Sequence, residues 1–511
     1  MFTVNSTPLD HLRSFPKPKF NVNSTLLLPL GQSNCGVAPD IHKELAEYWG
    51  YGLLIDRRGL ASVAASNPGK YTAIANIASL YSVFENWRGD KPGLPVLPDG
   101  TWIKNSSGVI VLENGRPIIS PTAPDQTFEI VGDYIGDQLK SYQDTAGQPI
   151  KLLLNEGEYG LWLLQDRPSS SGHWGQDPVA TAGFNASGLP FWTDFVSQQK
   201  ARQESIIKNR IYAKLGQTPV YSWYQEQYGT ERGRWSDWKR YIFIYDYFLN
   251  NGFPVVSNYT APEMYFGLNN SGFSGINYNS AVNWDMLTQA LNNISGAISL
   301  GQDFTYPWIS LGWEAPGQAI ADPERFMGMI KMYYTAGAIG SVAGYFVCEG
   351  SSWSALYNNT AVGVDTPLAI KQYVIQGHAH ALFSHLEEYL INGDLLPGVG
   401  NSSYTAFTNT VPSREFPVIG ESQQVQGLGK MVTVPTARVI ARKINNQDRW
   451  LVCAWANTGE NRDIQVNIDS RLGTLTLRAR KAGSVYKVSI VDGKIYVNLV
   501  DCDAMNPTTH F

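Results

Sequence analysis

Residues 150–160 read I-K-L-L-L-N-E-G-E-Y-G, and this stretch decides how the rest of the sequence is interpreted. Its apolar run, residues 150–154, is typical of a strand buried in a parallel sheet. The run ends abruptly at Asn155 and Glu156. In a barrel of eight parallel strands, the residue at the carboxyl end of a strand faces the mouth of the barrel. Because a carboxylate is costly to desolvate, we favour a functional role for Glu156 over a simple loop cap.

Strand-like and helix-like segments alternate on both sides of this stretch. The predicted strands cover residues 26–30, 53–55, 92–98, 150–154, 220–224, 253–257, 308–311 and 342–347. The predicted helices cover residues 41–49, 71–87, 126–142, 191–215, 235–249, 284–300, 323–338 and 369–390. This alternation predicts a parallel sheet, and about eight units favour a (β/α)₈ TIM barrel over an open doubly wound sheet. No glycine-rich phosphate loop follows a predicted strand, which argues against a nucleotide-binding fold.

The segment between the second and fourth predicted strands departs from this regular pattern. Residues 92–98 are rich in proline and fit a strand poorly, although the barrel order requires a third strand near this point. Residues 101–120 are predicted as an inserted hairpin that turns at Asn114 and Gly115.

The pattern changes after residue 398. From residue 437 onward, short alternating strands are separated by turn signals at Asn445–Asn446, Gly459, Gly473 and Asp492–Gly493. This texture predicts an antiparallel β-sandwich without a catalytic cluster of its own. The predicted fold is therefore an α/β barrel catalytic domain, residues 1–398, followed by an accessory β-sandwich domain, residues 399–511.

Composition limits the function classes. The chain has 511 residues, of which 43% are hydrophobic and 16% charged, and its net charge of −5 gives no basic footprint for nucleic acid. No apolar run of 18 residues indicates a membrane span. The N-terminal residues lack a secretion signal pattern, so we expect a cytoplasmic protein, or an extracellular one whose signal has been removed. The 15 Trp and 27 Tyr supply rings that stack on flat apolar ligand faces.

The cysteines and histidines show no metal-ligand spacing. Cys35, Cys348, Cys453 and Cys502 lie far apart, and Cys348 and Cys453 sit in apolar runs typical of buried free thiols. His378, His380 and His385 lie on a predicted helix, where His378 and His385 share a face, and we interpret them as packing or solvated residues. His173 is expected on a surface loop. No metal and no cofactor is predicted.

Three predicted strands end in an acidic residue: Glu156 after the fourth, Glu314 after the seventh and Glu349 after the eighth. Glycoside hydrolysis needs two carboxyl groups that face each other across the sugar bond. One is held protonated to donate to the leaving oxygen, and the other is ionised. Strands four and seven lie nearly opposite in an eight-stranded barrel, so Glu156 and Glu314 suit this pair.

Asn155-Glu156 at the end of strand four, with Glu314 at the end of strand seven, resembles clan A of the retaining glycoside hydrolases. The resemblance implies that Glu156 is the acid/base, that Asn155 binds the sugar 2-hydroxyl and that Glu314 is the nucleophile. The trailing β-sandwich is also similar to a C-terminal domain that many such enzymes carry. The match leaves open the family within the clan, and Glu158 is an alternative acid/base.

Further residues are candidates for substrate binding. They follow predicted strands or lie in the loops after them: Glu158, Trp174, Trp223, Tyr259, Glu263, Trp313, Glu349 and Trp353. Tyr259 is a candidate to hydrogen-bond the nucleophile, Glu349 is an alternative nucleophile, and the Trp rings are candidate sugar platforms. Each of these aromatic residues has a packing role as its alternative.

The predicted partner is a carbohydrate, with oligomeric state left open. Abundant Trp, Tyr and Asn, with long loops after strands three, four and six, predict a cleft for an oligo- or polysaccharide with β-glycosidic bonds. Seaweed galactans such as agar or porphyran are candidate substrates, and a sulfated one requires cations such as Arg57, Arg167 or Arg232 at the mouth. The alternatives are an inverting hydrolase and a non-catalytic carbohydrate-binding or structural barrel protein.

Overall fold

The computed structural model of the protein describes residues 7–32, 39–57, 59–77, 80, 93–113, 116–155, 174–189, 192–223, 257–259, 261, 263–265, 288, 291–292, 294–299, 301, 303–310, 323–343, 366–404, 409–420, 422–427, 430–457 and 460–500. These residues fall into two compact units. The first unit contains the described residues of Met1–Gly52 and Pro262–Phe511, and the second contains those of Leu53–Glu226 and Arg234–Ala261.

The second unit contains a parallel four-stranded sheet. Its strands are β2 (Leu53–Leu54), β3 (Ala73–Asn76), β6 (Leu152–Asn155) and β7 (Val220–Trp223), in the spatial order β2-β3-β6-β7. All four residues of β3 and of β6 are buried. Burial on both faces explains why the strands are continuous apolar runs rather than alternating ones.

The first unit contains a second parallel four-stranded sheet. Its strands are β1 (Gly31–Gln32), β8 (Glu263–Tyr265), β9 (Trp308–Ser310) and β10 (Val342–Ala343), in the order β1-β10-β9-β8. Numbered along the chain as barrel strands, the two sheets run 2-3-4-5 and 1-8-7-6. This is the cyclic neighbour order of an eight-stranded parallel barrel. Parallel sheets are therefore confirmed, and closure into one barrel stays a prediction.

Helices connect the strands. The described helices are α1 (Pro8–Ser14), α2 (Pro39–Tyr48), α3 (Leu60–Ala65), α4 (Asp125–Ala146), α5 (Pro178–Ser187), α6 (Trp192–Leu215), α7 (Pro323–Ala336), α8 (Thr366–Ser384) and α9 (Glu387–Ile391), with a 3₁₀ turn at Trp174–Gln176. Helices α4 and α6 pack closely because Gly132 and Gly136 offer no side chain. A Cβ at Gly132 would lie 2.7 Å from the Cβ of Arg210, and one at Gly136 would lie 2.7 Å from the Cβ of Lys214.

The other described strands of the first unit form antiparallel sheets. A five-stranded sheet has the order β11-β16-β17-β20-β21, and three two-stranded sheets pair β12 with β13, β14 with β15 and β18 with β19. The strands are β11 (Gly393–Leu395), β12 (Asn401–Tyr404), β13 (Asn409–Pro412), β14 (Ser422–Gly427), β15 (Lys430–Pro435), β16 (Arg438–Ile444), β17 (Arg449–Trp455), β18 (Arg462–Val466), β19 (Leu475–Ala479), β20 (Ser484–Val491) and β21 (Lys494–Leu499).

The short alternating strands predicted from residue 437 onward are confirmed, and they are strands β16 to β21. Val439, Trp450 and Val488 of the five-stranded sheet share one buried core with Ile464 and Leu477 of the β18–β19 pair. Two antiparallel layers around a common core are the arrangement of a sandwich. The placing of a domain boundary at 398/399 stays a prediction, since the antiparallel layers and the sheet containing β9 lie in the same compact unit.

Helix α7 packs directly on the antiparallel layers. Gly328 faces the indole of Trp455, whose Nε1 donates to the carbonyl oxygen of Lys481 at 2.7 Å. Lys331, fully buried, donates from Nζ to the carbonyl oxygen of Gly483 at 2.9 Å. Arg442 of β16, also buried, donates from Nη1 to the carbonyl oxygen of Thr335 in α7 at 3.5 Å. These contacts tie the helix to strands more than 100 residues away in sequence.

The prediction of the third strand was wrong. The strand is β3, Ala73–Asn76, inside the segment predicted as a helix, while the described part of 92–98 is irregular. The first strand pairs at Gly31–Gln32, just after the predicted 26–30. The sixth strand of the sheet is β8, Glu263–Tyr265, and only Ser257 of the predicted 253–257 lies within the described residues, in a bend.

The inserted hairpin is confirmed. Strand β4 (Leu112–Glu113) pairs antiparallel with β5 (Arg116–Pro117), so that Glu113 and Arg116 flank the predicted turn. Further antiparallel bridges join Trp102 to Ile119 and Lys104 to Ile110.

Candidate functional site

Four parallel strands of the second unit end at one edge, and polar residues stand at each end. Asp56 follows β2 by two residues, Asn76 ends β3, Asn155 ends β6 and Trp223 ends β7. The register pairs Asn155 with Trp223. Because the carboxyl ends of parallel strands meet at the same edge, this edge is the candidate functional site.

Asn155 belongs to a buried hydrogen-bond network. Its Nδ2 donates to Glu204 Oε2 at 3.1 Å and to the hydroxyl oxygen of Tyr221 at 2.8 Å. The Tyr221 hydroxyl in turn donates to Glu204 Oε2 at 3.3 Å. All three side chains are buried. A carboxylate only accepts hydrogen bonds, so Glu204 orients the amide with its nitrogen toward helix α6.

The network leaves one atom of Asn155 for a ligand. Both Nδ2 hydrogens are used by Glu204 and Tyr221. Toward a bound molecule the amide therefore presents Oδ1, which accepts a hydrogen bond. The arrangement makes Asn155 a preoriented acceptor at the carboxyl end of β6.

The segment Ser257–Tyr259 is held against β7. Asn258 N donates to the carbonyl oxygen of Tyr221 at 2.9 Å, and Asn258 Oδ1 accepts from Tyr221 N at 2.7 Å. The Ser257 hydroxyl donates to the carbonyl oxygen of Tyr259 at 2.5 Å. Asn258 and Tyr259 thus lie beside β7, and Tyr259 is half-buried there.

Asp56 is a buried carboxyl at the same edge. Its side chain is 1% exposed, and its Oδ1 accepts from the backbone N–H of Asn76 at 3.3 Å. Burial raises the pKa of Asp56 to about 6, while the charge of Arg57 and the Asn76 N–H act in the opposite direction. Arg57, named from the sequence as a candidate cation at the mouth, places Nε 3.9 Å from Asp56 Oδ2.

The structure describes five of the residues predicted for the site, and one of them, Trp223, is the last residue of β7. Asn155 and Tyr259 belong to the second unit. Asn155 donates to the Tyr221 hydroxyl. Tyr259 is linked to Tyr221 through the Ser257 hydroxyl, which lies within hydrogen-bond distance of the carbonyl oxygens of both residues. Glu263 was predicted to lie in the loop after the sixth strand. It is instead the first residue of strand β8, two residues before the carboxyl end of that strand. Trp174 begins a 3₁₀ turn. The other predicted site residues lie outside the described residues: Glu156, Glu158, Trp313, Glu314, Glu349 and Trp353.

Two residues at this edge were missed as site residues. Asp56 ends an apolar run in the same manner as Asn155, and that signal was present in L-L-I-D. Glu204 lies in the middle of α6, where nothing in its sequence context distinguishes a buried acid from a solvated one.

His378 and His380 of α8 are buried packing residues, and His385 follows the end of the helix. A ring nitrogen of His378, Nε2, lies 3.0 Å from the carbonyl oxygen of Pro16, and His385 Nε2 lies 3.0 Å from that of Lys19. His380 Nδ1 pairs with the Tyr334 hydroxyl at 2.6 Å. Burial lowers the pKa of His378 to about 4 and that of His380 to about 3. Cys453 is confirmed as a buried free thiol.

Within the described ranges, no group of three or more His, Cys, Asp or Glu side chains could hold a metal ion. No helix in that part of the chain is long and apolar enough to cross a membrane.

Comparison with known proteins identifies no family. No family model matches the chain. No curated protein matches it either.

Among solved structures, the chain matches glycoside hydrolases at low similarity. The catalytic domain of a β-amylase from Paenibacillus polymyxa has 11% identity and a TM-score of 0.32, over 60% of this chain and 82% of that one. An endo-β-1,4-mannanase from Thermotoga petrophila has 10% identity and a TM-score of 0.30, over 93% and 98%. A family 42 β-galactosidase from G. stearothermophilus has 9% identity and a TM-score of 0.39, over 95% and 98%. Scores this low carry no argument about fold or activity.

Proposed function

We propose that the protein is a retaining glycoside hydrolase that cleaves β-glycosidic bonds of an oligo- or polysaccharide with Glu156 and Glu314. In this proposal Glu156 is the acid/base and Glu314 is the nucleophile. Glu156 donates a proton to the leaving oxygen while Glu314 attacks the anomeric carbon. Glu156 then takes a proton from the water that releases the sugar.

The observation that carries the proposal is the position of Asn155 in the strand order. Asn155 is the last residue of β6, which is the fourth strand of the cyclic order, and Glu156 follows it directly. Strand β9, four residues before Glu314, is the seventh. These are the two strands from which the resemblance to clan A takes its acid/base and its nucleophile.

The network around Asn155 supports a role for its neighbour. Side chains alternate across a strand, and Asn155 turns toward Glu204 of α6. Glu156 is the next residue in the sequence, and we propose that its carboxyl group serves the interior of the barrel. Asn155 then fixes the backbone behind the acid/base and offers Oδ1 to a sugar hydroxyl at the edge.

The test separates the two carboxyl groups by chemical rescue. We expect Glu314→Ala to abolish turnover, because no covalent intermediate forms. Glu156→Ala should lose most activity on natural substrates but retain attack on an activated aryl glycoside, where the leaving group needs little protonation. Added azide should then restore turnover of Glu156→Ala and give a glycosyl azide of retained configuration, measured by NMR. Glu158→Gln tests the neighbouring acid and should show no azide rescue, because Glu158 is not the acid/base in this proposal.

The opposite pattern would contradict the roles. Azide rescue of Glu156→Ala with inverted product, together with rescue of Glu314→Ala with retained product, would exchange the two assignments, because azide inverts the anomeric carbon once when it replaces a missing nucleophile. Loss of activity in Glu158→Gln, with Glu156→Gln active, would move the acid/base to Glu158. An experimental structure should place the two carboxyl groups about 5–5.5 Å apart, whereas about 6.5–9.5 Å would favour an inverting hydrolase.

The alternative is a barrel that binds carbohydrate without cleaving it. It predicts saturable oligosaccharide binding with no turnover on any member of a panel of agar, porphyran, mannan, xylan and β-glucan. Agar and porphyran stand first in that panel, as the galactans proposed from the loops and aromatic content. The anomeric configuration of the earliest product distinguishes the retaining from the inverting mechanism.

A further inference from the structure

Asp56 and Arg57 present an unpaired acceptor beside an unpaired donor. Among the described residues, neither Asp56 Oδ2 nor Arg57 Nε has a hydrogen-bond partner, and both atoms are buried. They lie 3.9 Å apart, which is too long for a hydrogen bond between them. The guanidinium is 28% exposed and the carboxyl 1%. The two facing atoms are therefore buried, while part of the Arg57 side chain is exposed to solvent.

Two other buried carboxyl groups of the described residues have hydrogen-bond donors in their own surroundings. Asp177, at the start of α5, accepts from the Ser120 hydroxyl at 2.6 Å and from Val179 N at 2.9 Å. Glu387 accepts from the backbone N–H of Thr25 at 2.8 Å. The Asp56 carboxyl accepts from the backbone N–H groups of Asn76 and of Asp56 itself, but in the described part of the chain its Oδ2 has no hydrogen-bond partner. Leaving a buried carboxylate oxygen unpaired is unfavourable, so a missing partner is expected at this place.

The gap has the size of one hydroxyl group. A hydroxyl oxygen about 2.8 Å from each atom can donate to Oδ2 and accept from Nε. A sulfate ester has acceptor oxygens only, so it cannot supply the donor that Oδ2 needs. The negative charge of Asp56 also opposes a second anion and offsets the positive charge of Arg57.

We propose that Asp56 and Arg57 form a sugar subsite that selects an unsubstituted hydroxyl, and so a neutral sugar unit, at the carboxyl edge of β2. The inference rests on the proposed glycosidase function and deepens it by naming the class of sugar. Strands β2 and β6 are separated by β3, which places the pair about 10 Å from the end of β6, roughly the length of two sugar units. Asp56 and Arg57 are thus specificity residues rather than members of the reacting pair.

The experiment compares Asp56→Asn with the matched variant Asp177→Asn on two substrates. The probes are the neutral oligosaccharide that the wild type hydrolyses fastest in the panel and a sulfated porphyran oligosaccharide. We expect Asp56→Asn to lower kcat/KM on the neutral probe by about 10–100-fold, a typical loss when a buried sugar contact is weakened, and to narrow the preference over the sulfated probe. Its Tm should not fall. Asp177→Asn should lower the Tm and leave the preference unchanged.

Binding in an inactive background separates the inference from the proposed function. Titration calorimetry of Glu156→Gln, with and without Asp56→Asn, measures the affinity for the neutral probe without turnover. Hydrolysis that depends on Glu156 and Glu314, with affinity and preference unaffected by Asp56→Asn, would overturn the subsite. A wild type that prefers the sulfated probe would overturn it as well. Absence of hydrolysis on the whole panel would count against the proposed function instead.

Discussion

At the residue scale, the edge that carries the candidate site holds buried polar groups whose partners decide their charge. Asp56 is the clearest case, because its raised pKa of about 6 means that folding favours its protonated form. The facing groups that moderate this effect are the guanidinium of Arg57 and the backbone N–H of Asn76. The charged form of Asp56 is therefore destabilising in the absence of a ligand.

We predict that Asp56→Asn changes how stability depends on pH. The folded-state pKa of about 6 lies above the usual 3.8, so the wild-type folded state binds more protons between these values. This contribution is fully present below about pH 4 and is lost as the pH rises to about 6. The gain of Asp56→Asn over the wild type should grow by up to about 3 kcal/mol between pH 4 and pH 8.

Urea unfolding of the two proteins across that pH range measures this difference. A constant difference between the two proteins at all pH values would show that Asp56 has an ordinary pKa. A difference that grows toward low pH would show that the folded state prefers the carboxylate.

Tyr221→Phe tests the network that orients Asn155. Removing the hydroxyl leaves one Asn155 Nδ2 hydrogen buried and unpaired, which should cost about 1–3 kcal/mol of stability. It also frees the amide to turn, so we expect kcat on the natural substrate to fall by about tenfold. Kinetics and thermal unfolding measure the two effects.

Tyr212→Phe is the matched control, because the Tyr212 hydroxyl donates only to the carbonyl oxygen of Pro219, before the amino end of β7. It should lower stability without lowering kcat. Equal losses of kcat in both variants would mean that Tyr221 acts only through stability.

At the element scale, helix α7 is fitted to the antiparallel layers through a glycine. A Cβ at Gly328 would overlap the Trp455 indole and lie 2.6 Å from the carbonyl oxygen of Lys481. Alanine improves helix propensity by about 1 kcal/mol. Overpacking costs about 1–3 kcal/mol, and unpairing the indole N–H costs a similar amount.

We therefore expect Gly328→Ala to destabilise the protein by about 2 kcal/mol or more. The same change in a Trp455→Leu background should cost much less, because the overlapping ring is absent. A double-mutant cycle by chemical unfolding measures this coupling. Additive effects would show that α7 shifts away from β17 freely.

Elements could be predicted from the sequence where burial leaves a distinctive period. Strands β18 and β19 alternate buried and exposed residues, and that period of two identified them. Strand β3 is buried throughout, and Ile74, Ile77 and Leu80 happen to recur at helical spacing. A strand covered on both faces has no alternation to read, so this one was predicted as a helix.

Residues of the candidate site could be predicted where they interrupt an apolar run, and could not be predicted where their role depends on distant partners. Asn155 stands out because a polar residue interrupts an apolar run, and Asp56 shows the same signal. Glu204 could not be predicted, since its role depends on Asn155 and Tyr221 reaching it across the fold. Partners that are distant in sequence become visible only when the strand register is known.

At the scale of the whole molecule, the antiparallel layers supply much of the packing of the first unit. Arg442 donates to the carbonyl oxygen of Gly393, and Arg325 of α7 donates to those of Ala456 and Asn457. We predict that a chain ending at Gly398 is insoluble or unfolded, because the face of α7 that meets β16 and β17 becomes exposed. Size-exclusion chromatography and thermal unfolding test this.

A soluble chain of residues 1–398 that melts cooperatively would contradict the structural role. If that chain were folded yet inactive only because a side chain beyond residue 398 is missing from the cleft, the accessory part would be catalytic rather than stabilising. Point variants of the β16 and β17 side chains in the full chain distinguish these two outcomes.

The division of the parallel strands between two units has a consequence for how the chain is made. Strands β2, β3, β6 and β7 are continuous in sequence, so their unit can fold as it leaves the ribosome. Strand β1 precedes the other strands, but its hydrogen-bonded neighbour β10 lies roughly 310 residues later, which corresponds to about 15–60 s of synthesis. During that interval Leu30 and its apolar neighbours lack their native cover. Strand β1 is therefore among the last strands to gain its native hydrogen bonds. We expect chaperones to bind the segment around β1 during synthesis.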